Sequence, residues 1–580
     1  MEIKIRINDH DYIGYEGETI LHVARRLNIH IPTLCYMFHD EDKTEHHPAS
    51  CRVCVVEIKG RRNLAPACAT PIVSGMEIYT HSPRVRNARR VIVELLLSDH
   101  PADCLICAKN GKCELQQIAS ELGIRQVSYD TDLSKVNKWF YSKSLKRNPG
   151  KCILCGHCVD MCENIQTVGS LGNIGRGFGT LVGYPFNECA DDSNCVFCGQ
   201  CIKVCPTGAL TQVNQTEELE KILLDDSKFV VCQTAPATRV SLGEEFGLPI
   251  GTDVTKKMVM GLRELGFKRV FDTNFSADLT IMEETTEFIE RIKNKEKLPI
   301  ITSCCPAWVK FLEGQYDELI PHLSTCKSPQ QMMGAVIKSY YADKYNIDPK
   351  SIYVVSVMPC IAKKFECDRE ELNCNGLRDV DMVISVMELA TLLKRHGIDI
   401  RYLEDSEFDE PLGESTGGAD IFASTGGVME SVLRTASKML YNQDLQIDFK
   451  ELRGEVGIRE TSVNIGGVEL KVAVASGLGN ARKLMKLVKD GNCPYQAVEI
   501  MACPSGCVNG GGQPTHLGIS RKEIIRKRQK SIYNIDKNKT KRVSSENKDI
   551  TKLYNEYFSR PNSYKAHELL HTTYYSRRPK

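Results

Sequence analysis

The chain has 580 residues, enough for about four domains that each bury a core. Its 75 basic and 74 acidic side chains nearly cancel, which argues against a nucleic-acid binder with a strongly basic surface. The longest apolar runs, such as Val91 to Leu97, fall far short of the roughly 20 residues that span a bilayer. The composition predicts a multidomain globular protein without a membrane anchor.

The first 20 residues alternate Ile3, Ile5 and Ile7 with charged residues, which predicts a strand rather than a signal peptide. We therefore expect a cytoplasmic protein. Disulfides are reduced in that compartment, and many of the 26 cysteines stand in short repeated spacings. These cysteines are accordingly expected to bind metal.

The first group of candidate ligands is Cys35, Cys51, Cys54 and Cys68. A Cys-x2-Cys pair flanked by single cysteines between predicted strands resembles a 2Fe-2S ferredoxin domain, which we expect to be a β-grasp fold over residues 1–82. Plant-type ferredoxins have four residues between the first two cysteines, whereas fifteen separate Cys35 from Cys51 here. A structural zinc site is the alternative for an isolated Cys-x2-Cys pair.

The second group is His100, Cys104, Cys107 and Cys113, with the spacing His-x3-Cys-x2-Cys-x5-Cys. It offers one imidazole and three thiolates. A single histidine beside cysteines is more often an ordinary surface or core residue. This spacing, however, resembles the His-ligated 4Fe-4S module of hydrogenases and of respiratory complex I. The resemblance implies a small 4Fe-4S domain over residues 83–130, with His100 as a ligand.

The third group consists of two runs with the spacing Cys-x2-Cys-x2-Cys-x3-Cys. The runs are Cys152, Cys155, Cys158, Cys162 and Cys195, Cys198, Cys201, Cys205. In this pattern three cysteines surround one cube and the fourth binds the other cube, so Cys205 is expected to complete the first cluster and Cys162 the second. Zinc ribbons do not need this pattern. Residues 131–214 are therefore predicted to be a bacterial-type ferredoxin domain with two 4Fe-4S clusters.

From about residue 215 the sequence alternates apolar strands with amphipathic helices, which is α/β patterning. Several clusters in series serve as a route for single electrons, so we expect this region to consume or supply them. Three of its loops carry cysteines: Thr302-Ser303-Cys304-Cys305-Pro306, Met358-Pro359-Cys360-Ile361-Ala362-Lys363, and Met501-Ala502-Cys503-Pro504-Ser505-Gly506-Cys507.

These loops resemble the three signature loops of iron-iron (FeFe) hydrogenases, and the resemblance covers essentially the whole chain. It implies a two-lobed α/β catalytic domain over residues 215–515 that holds the H-cluster. By this resemblance Cys305, Cys360, Cys503 and Cys507 bind a 4Fe-4S cube. Cys507 also bridges to a two-iron unit that carries carbonyl, cyanide and a dithiolate. The spacing of these four cysteines alone would indicate only another iron-sulfur site.

The family resemblance also implies a proton relay. Cys304 would exchange protons with the dithiolate, and Glu284, Ser324, Glu287 and Arg291 would connect it to the surface. The two glutamates and Arg291 stand at i, i+3 and i+7 of a predicted helix over residues 276–293, so they share one face. A charged helix face is usually just solvated. If Glu284 is buried, its raised pKa would suit proton exchange.

The remaining predicted site residues line the two-iron unit. Lys363 is expected to donate to a cyanide ligand, and Pro236, Ala237, Gln330, Met358 and Met501 are expected to shield the metals. The family commonly has Ser at the position of Ala237 and Gly at the position of Ala423. One hydrogen bond to the two-iron unit is therefore expected to be missing, and the extra methyl group of Ala423 is expected to tighten the pocket.

Residues 516–580 resemble the small-subunit segment that wraps the catalytic domain. The whole is predicted to be an oxygen-sensitive ferredoxin hydrogenase of anaerobic metabolism. It would carry one 2Fe-2S cluster, three accessory 4Fe-4S clusters and the H-cluster, with ferredoxin or flavodoxin as electron partner and maturation enzymes for the two-iron unit. A dihydrogen sensor and an electron-transfer subunit of a larger complex are the alternatives. The Gly477-x-Gly479 sequence lacks the rest of a dinucleotide fingerprint, since Arg482 replaces its third glycine.

Overall fold

The structure is a computed structural model that describes residues 1–38, 45–46, 49–129, 132–442, 445, 451–454 and 457–578. No helix within these ranges is long and apolar enough to cross a membrane. The chain is a mixed α/β protein made of several units that follow one another along the sequence.

The first unit is a five-stranded sheet with one helix packed against it. Its elements are β1 (Glu2–Ile7), β2 (His10–Tyr15), α1 (Ile20–Arg26), β3 (Met37–Phe38), β4 (Glu45–His46), β5 (Val55–Ile58), β6 (Ala65–Pro66) and β7 (Glu77–Tyr79). The sheet order is β2-β1-β7-β5-β6, and β3 pairs separately with β4. Ile5 and Ile7 of β1 are buried while Lys4 and Arg6 are exposed, which confirms the strand predicted from their alternation.

Two helices follow, α2 (Pro83–Ser98) and α3 (Glu114–Glu121). Ser82 begins α2 as its N-cap, where its side chain accepts from the Val85 N–H, and Pro83 occupies the first turn. The loop between α2 and α3 carries the second ligand group. Cys113 at its end packs against the same apolar cluster as Cys51 of the first unit.

The third unit is built from short elements around two sets of cysteines. They are β8 (Phe140–Tyr141), β9 (Leu145–Arg147), α4 (His157–Asp160), β10 (Gly172–Ile174), β11 (Leu181–Gly183), α5 (Gln200–Val204) and β12 (Leu210–Gln212). β12, β9 and β8 form one antiparallel sheet, and β10 pairs with β11.

The catalytic region contains two four-stranded sheets. Its elements up to the second lobe are α6 (Thr216–Leu223), β13 (Phe229–Thr234), α7 (Thr255–Glu264), β14 (Arg269–Asp272), α8 (Thr273–Asn294), β15 (Ile300–Ile301), α9 (Pro306–Gln315), α10 (Pro329–Val336), α11 (Ala342–Tyr345), β16 (Ile352–Met358), α12 (Ala362–Cys367), β17 (Asn373–Cys374), β18 (Leu377–Arg378), β19 (Met382–Ser385) and α13 (Val386–Arg395). They are followed by α14 (Gly417–Asp420), α15 (Gly427–Tyr441), β20 (Gly457–Ile465), β21 (Val468–Ser476), α16 (Leu478–Lys489) and β22 (Ala497–Met501).

The first sheet has the order β14-β13-β16-β19, and all its pairs are parallel. The second has the order β15-β22-β21-β20, in which only the β20 to β21 pair is antiparallel. The central strands are nearly continuous runs of buried apolar residues, as strands covered on both faces are. The α/β pattern predicted from the sequence is thus present in the structure.

The last segment crosses the catalytic region as α17 (Arg521–Asn538), α18 (Lys548–Leu553) and α19 (Tyr564–Leu570). Arg528 of α17 is fully buried and pairs with Glu244, at 2.6 Å between its Nη2 and Oε2 of the carboxylate. At least one basic residue of this stretch is therefore buried in an ion pair rather than exposed to solvent.

The hairpin of β3 and β4 joins the first unit to the third. His46 Nε2 lies 2.9 Å from the Cys155 carbonyl, and the His46 ring packs edge-on against His157. Gly156 leaves the space for this contact, since a Cβ there would lie 2.9 Å from His46 Nε2. The long interval between Cys35 and Cys51 thus includes a hairpin that holds the two units together.

We predict that His46→Ala loosens this joint. The lost hydrogen bond and ring contact correspond to roughly 1 kcal/mol, and the substitution removes no metal ligand proposed from the sequence. Hydrogen exchange of α4 and limited proteolysis between the two units should both become faster. His10→Ala, at an exposed position of β2, is the matched control. Unchanged exchange in His46→Ala would mean that the joint does not depend on this side chain.

Candidate active site

A buried cavity lies where parallel strands of the two four-stranded sheets end. Its wall is formed by the segments that follow β13, β15, β16 and β22, together with α8 and α10. Carboxyl ends of parallel strands on neighbouring sheets point into the same space, which is the usual place for ligands in α/β proteins. The cavity is lined by Ala235, Pro236, Ala237, Thr273, Ala277, Cys304, Cys305, Pro306, Pro329, Gln330, Met358, Pro359, Cys360, Lys363, Phe422, Met501, Ala502, Cys503, Gly506 and Cys507.

The donor set of this cavity consists of thiols. Cys305, Cys360, Cys503 and Cys507 come from three separate loops and line one space, as the family resemblance implies. Burial raises the pKa of all four thiols, so each thiolate needs a positive partner to form. Four such thiols facing one apolar cavity fit a metal cluster that is bound through sulfur.

The polar group opposite the thiols is Lys363. Its Nζ donates to Glu366 (2.8 Å), to the Ser328 hydroxyl (2.9 Å) and to the Cys304 carbonyl (3.2 Å). Burial lowers the pKa of Lys363, but the carboxylate of Glu366 outweighs it and the net shift is upward. Lys363 is therefore held as a cation at the wall of the cavity.

The other predicted lining residues are all in place. Pro236, Ala237, Gln330, Met358 and Met501 line the cavity. Gln330 is oriented by Glu366, which accepts from its Nε2 at 3.1 Å.

The two positions that depart from the family differ in location. Ala237 lines the cavity, where its methyl group donates no hydrogen bond. Ala423 packs in an apolar cluster with Ala237 and Val508, and its neighbour Phe422 lines the cavity. The effect of either residue on the two-iron unit stays a prediction.

The predicted relay begins at Cys304 and Glu284. Glu284 is buried, and the Ser324 hydroxyl is a hydrogen-bonding neighbour of its carboxylate. Burial and the nearby charge of Glu287 raise the pKa of Glu284 to about 8. Burial raises the pKa of the Cys304 thiol as well. Burial therefore favours the protonated form of both groups.

In the part of the predicted relay nearest the surface, both carboxylate oxygens of Glu287 accept hydrogen bonds. Ser324 Oγ donates to Glu287 Oε2 at 2.8 Å, and Arg291 Nη2 donates to Glu287 Oε1 at 2.6 Å. Glu287 and Arg291 are about one tenth exposed, so this pair lies just beneath the surface. Three of the five predicted relay residues lie on α8. Cys304 lies in the loop before α9, and Ser324 lies in the loop before α10.

The two runs of the ferredoxin-like unit are interleaved as predicted from their spacing. One cavity is lined by Cys152, Cys155, Cys158 and Cys205, and a second is lined by Cys162, Cys195, Cys198 and Cys201. The fourth cysteine of each run thus faces the cavity of the other run.

The thiols of the first group lie in pairs. Cys54 and Cys68 are 3.5 Å apart between sulfurs, and the Cys35 thiolate accepts from Cys51, which lowers the pKa of Cys35 to about 5. Two adjacent thiol pairs match the two irons of a 2Fe-2S cluster.

The second group lies on a turn against the ferredoxin-like unit. Cys107 Sγ lies close to Gly208, since a Cβ added to Gly208 would be 2.6 Å from that sulfur. Burial and the nearby Lys151 lower the pKa of His100 to about 4, which keeps the imidazole in the neutral form that binds metal. Its Nδ1 is buried without a hydrogen-bond partner in the described ranges.

The ferredoxin-like unit touches the active-site cavity directly. Cys503 Sγ lies 4.0 Å from the Cys198 carbonyl, and Gln200 Nε2 donates to the Asn509 carbonyl at 3.0 Å. A Cβ on Gly511 would lie 2.8 Å from the Cα of Gly199, so glycine at both positions lets the two backbones meet. The second four-cysteine cavity is therefore a neighbour of the catalytic one.

Two buried carboxylates of the site were not predicted from the sequence. Glu366 stands three residues after Lys363 on α12, and this spacing was the available signal. Glu499 interrupts the apolar strand β22, where it accepts from the N–H groups of Gly426 (2.6 Å) and Met429 (2.7 Å) at the start of α15. Burial raises the pKa of Glu499 to about 7.

We predict that the iron content of double cysteine variants reports which cysteines share a cluster. Cys152→Ser with Cys205→Ser should lose only one cluster, about four iron atoms, because both residues face one cavity. Cys152→Ser with Cys162→Ser should lose two clusters, about eight iron atoms, because these residues face different cavities. Iron analysis of the anaerobically purified variants decides between the outcomes. Equal losses would contradict the interleaved assignment.

Comparison with known protein families agrees with this geometry. Residues 228–511 match the iron only hydrogenase large subunit, C-terminal domain, and residues 522–577 match the iron hydrogenase small subunit. Three further matches are a 2Fe-2S iron-sulfur cluster binding domain (1–83), the NADH-ubiquinone oxidoreductase-G iron-sulfur binding region (89–128) and a 4Fe-4S dicluster domain (151–209).

Similar proteins extend the match to nearly the full length. The chain is 49% identical over 569 residues to the HndD subunit of an NADP-reducing hydrogenase from Solidesulfovibrio fructosivorans, covering 97% of each protein. It is 40% identical to iron hydrogenase 1 from Clostridium pasteurianum, over 98% of this chain and 99% of that one. The solved structure of apo [FeFe]-hydrogenase HydA1 from Chlamydomonas reinhardtii aligns with a TM-score of 0.57 and 41% identity, covering 63% of this chain and all of that one. The chain therefore belongs to the FeFe hydrogenase family and carries additional 2Fe-2S and 4Fe-4S domains.

Proposed function

We propose that this chain reduces protons to dihydrogen reversibly at an H-cluster held by Cys305, Cys360, Cys503 and Cys507. The observation that carries this is the single apolar cavity lined by these four thiols together with Cys304 and Lys363. When bound, the H-cluster supplies the iron at which protons and electrons combine. The protein contributes the sulfur ligands, the cation of Lys363, and a route for protons.

The proposed proton route runs from Arg291 and Glu287 through Ser324 and Glu284 to Cys304. Glu284 suits this role because its raised pKa lets it both take up and release a proton near neutral pH. The Ser324 hydroxyl, which neighbours its carboxylate, connects it to the outer part of the route. Glu287, by contrast, is fixed by Ser324 and Arg291.

The proposed electron route passes through one 2Fe-2S cluster and three 4Fe-4S clusters. The ligands would be the three groups of side chains described above, the third of which would hold two clusters. The last cluster of the series would be held by Cys162, Cys195, Cys198 and Cys201. The contact between the Cys198 carbonyl and Cys503 supports this order, since it places the ferredoxin-like unit against the catalytic cavity.

The proposed electron donor is a ferredoxin or flavodoxin that docks near the His100 group. Cys104 is exposed there, and the adjacent Leu105 and Ile106 are 90% and 86% exposed. An exposed apolar pair beside a cluster is a suitable contact for a transient partner. The expected need for maturation enzymes and the expected cytoplasmic location stay predictions.

A role as subunit of a nicotinamide-linked complex is the second candidate. It is favoured by the 49% identity to the HndD subunit of an NADP-reducing hydrogenase. The Gly477-x-Gly479 turn at the start of α16 is already covered, because Gln166 accepts the Leu478 N–H at 3.1 Å and Arg482 donates to the Thr167 carbonyl. A nicotinamide cofactor would then bind a partner subunit rather than this turn.

The first test is anaerobic dihydrogen evolution from reduced methyl viologen by protein matured together with the enzymes that build the two-iron unit. We expect fast evolution by the wild type and a loss of about 10²-fold or more in Glu284→Gln, because the amide cannot relay protons. Iron content and the carbonyl and cyanide infrared bands should be unchanged. Glu290→Gln, on the exposed face of the same helix, is the matched control.

Loaded wild-type protein with these bands but without turnover would favour the dihydrogen sensor. The absence of the bands despite competent maturation would favour an electron-transfer subunit. Normal turnover in Glu284→Gln would exclude the proposed route.

The same variant tests the pKa of Glu284 through stability. Because that pKa lies at about 8 in the folded chain against an ordinary 4.5, the folded protein binds more protons than the unfolded chain between these pH values. The wild-type free energy of unfolding should therefore fall as pH rises through this window and level off above it. Anaerobic urea unfolding of Glu284→Gln should show a weaker dependence on pH.

A second prediction concerns the electron donor. Reduced ferredoxin should drive dihydrogen evolution by the isolated chain, whereas NADPH alone should not, because the only dinucleotide-like turn noted in the sequence is covered by Gln166 and Arg482. Methyl viologen activity of the same preparation is the control. Evolution with NADPH alone would overturn this assignment, and evolution with NADPH only after a flavin-bearing subunit is added would favour the second candidate.

A further inference from the structure

The extended segment that carries Ser324 lies between β15 and the C-terminal segment. On one side the Ser324 N–H donates to the Ile301 carbonyl of β15 at 2.8 Å. On the other side the C-terminal segment runs past it, where the Lys327 N–H donates to the Leu570 carbonyl and the Thr572 N–H donates to the Thr325 carbonyl, both at 2.8 Å. The C-terminal segment therefore helps to fix the backbone of the proposed relay.

His571 adds side-chain contacts at the centre of this extended segment. It is 7% exposed, its Nδ1 lies 2.8 Å from the Thr325 hydroxyl, and its Nε2 lies 3.2 Å from Oε2 of Glu283. His571 thus bridges Thr325 and Glu283, with one ring nitrogen facing each.

Glu283 and Glu284 are consecutive on α8 but have opposite surroundings. Glu283 accepts from the Tyr554 hydroxyl (2.6 Å) and from the Asn562 N–H (2.7 Å), in addition to His571. All three donors belong to the C-terminal segment. None of the three donates to Glu284, whose hydrogen-bonding neighbour is the Ser324 hydroxyl. The segment thus binds Glu283 directly, while the next residue faces the extended segment that carries Ser324.

Thr325 links His571 to the relay. The Thr325 N–H donates to Oε2 of Glu287 at 3.3 Å, and the preceding Ser324 hydroxyl donates to the same oxygen at 2.8 Å. Any displacement of Thr325 therefore changes both donors to Glu287. His571 contacts this arrangement through the Thr325 hydroxyl.

We propose that His571 is a positioning residue of the proton relay: by holding Thr325, it keeps Ser324 in hydrogen-bond contact with Glu287. This inference rests on the proposed function, because it assigns His571 a role in the route from Arg291 to Cys304. His571 itself touches neither the cavity nor Cys304 in the contacts described above. Its effect on turnover is therefore exerted through Thr325.

The two nitrogens of His571 can be tested separately. His571→Asn places an amide group near the position of Nδ1 and keeps a partner for Thr325, whereas His571→Gln places it near Nε2 and keeps a partner for Glu283. His571→Ala removes both contacts. His567→Ala is the matched control, since His567 is an exposed histidine of the same segment whose ring lies 4.1 Å from that of His571.

Each variant is matured as full-length holoprotein, and its dihydrogen evolution is measured in H2O and in D2O. We expect His571→Ala to turn over about 10-fold or more slowly, because small misplacements of catalytic groups are costly. Its solvent isotope effect should increase, while iron content and infrared bands stay at the wild-type level. His571→Asn should recover most of the turnover, His571→Gln should recover little, and His567→Ala should behave as wild type.

Wild-type turnover and isotope effect in His571→Ala would overturn the proposal, as would equal impairment of the Asn and Gln variants. If His571→Ala fails to retain its clusters, Thr325→Val decides, since it removes the hydroxyl partner of Nδ1 and should reproduce the slow, isotope-sensitive turnover of His571→Gln. Glu284→Gln is measured in parallel to distinguish failure of the proton relay from failure of the role of His571. Full activity in that variant refutes the relay itself, whereas its inactivity beside a fully active His571→Ala refutes only the role of His571.

Discussion

The structure depends on the meeting of two four-stranded sheets at the carboxyl ends of their parallel strands. Because β13 and β16 of one sheet and β15 and β22 of the other end at the same space, three cysteine loops far apart in the sequence form one cavity. Thiols in such a place are buried, which raises their pKa, so each thiolate needs a positive partner to form. The ferredoxin-like unit and α8 both contact this region from the rest of the chain.

Rigidity comes from buried ion pairs around the cavity. Lys363 with Glu366 fixes one wall, and Arg528 with Glu244 holds α17 against the segment that follows β13. Arg239, just after the cavity residue Ala237, pairs with Asp272 at 2.7 Å and with Asp420 at 3.2 Å. Loss of one member of such a pair leaves a buried charge and typically costs about 3–5 kcal/mol. These pairs keep the loops in place by making their displacement expensive.

Much of the site could be predicted because its chemistry requires short, regular spacings. The exchange of Cys162 and Cys205 between two cavities follows from the three-residue intervals, and the shared face of Glu284, Glu287 and Arg291 follows from helical periodicity. The loops of the catalytic cavity have no diagnostic interval, so only family resemblance related Cys360 to Cys503. Glu499, His46 and His571 could not be predicted, because each acts on a residue tens to hundreds of positions away. Such contacts depend on the tertiary fold rather than on any local pattern.

The C-terminal segment is joined covalently to the region that it packs against. Tyr554, Asn562 and His571 reach Glu283 and Thr325 from a stretch that begins at α17, so their docking is intramolecular. A tethered segment of this kind is present at an effective concentration in the millimolar range, and every cavity has one copy at any dilution of the protein. A single proteolytic cut before α18 would change that stoichiometry without touching one cysteine ligand. After such a nick, the contacts of this segment with Glu283 and Thr325 would depend on the concentrations of two separate polypeptides.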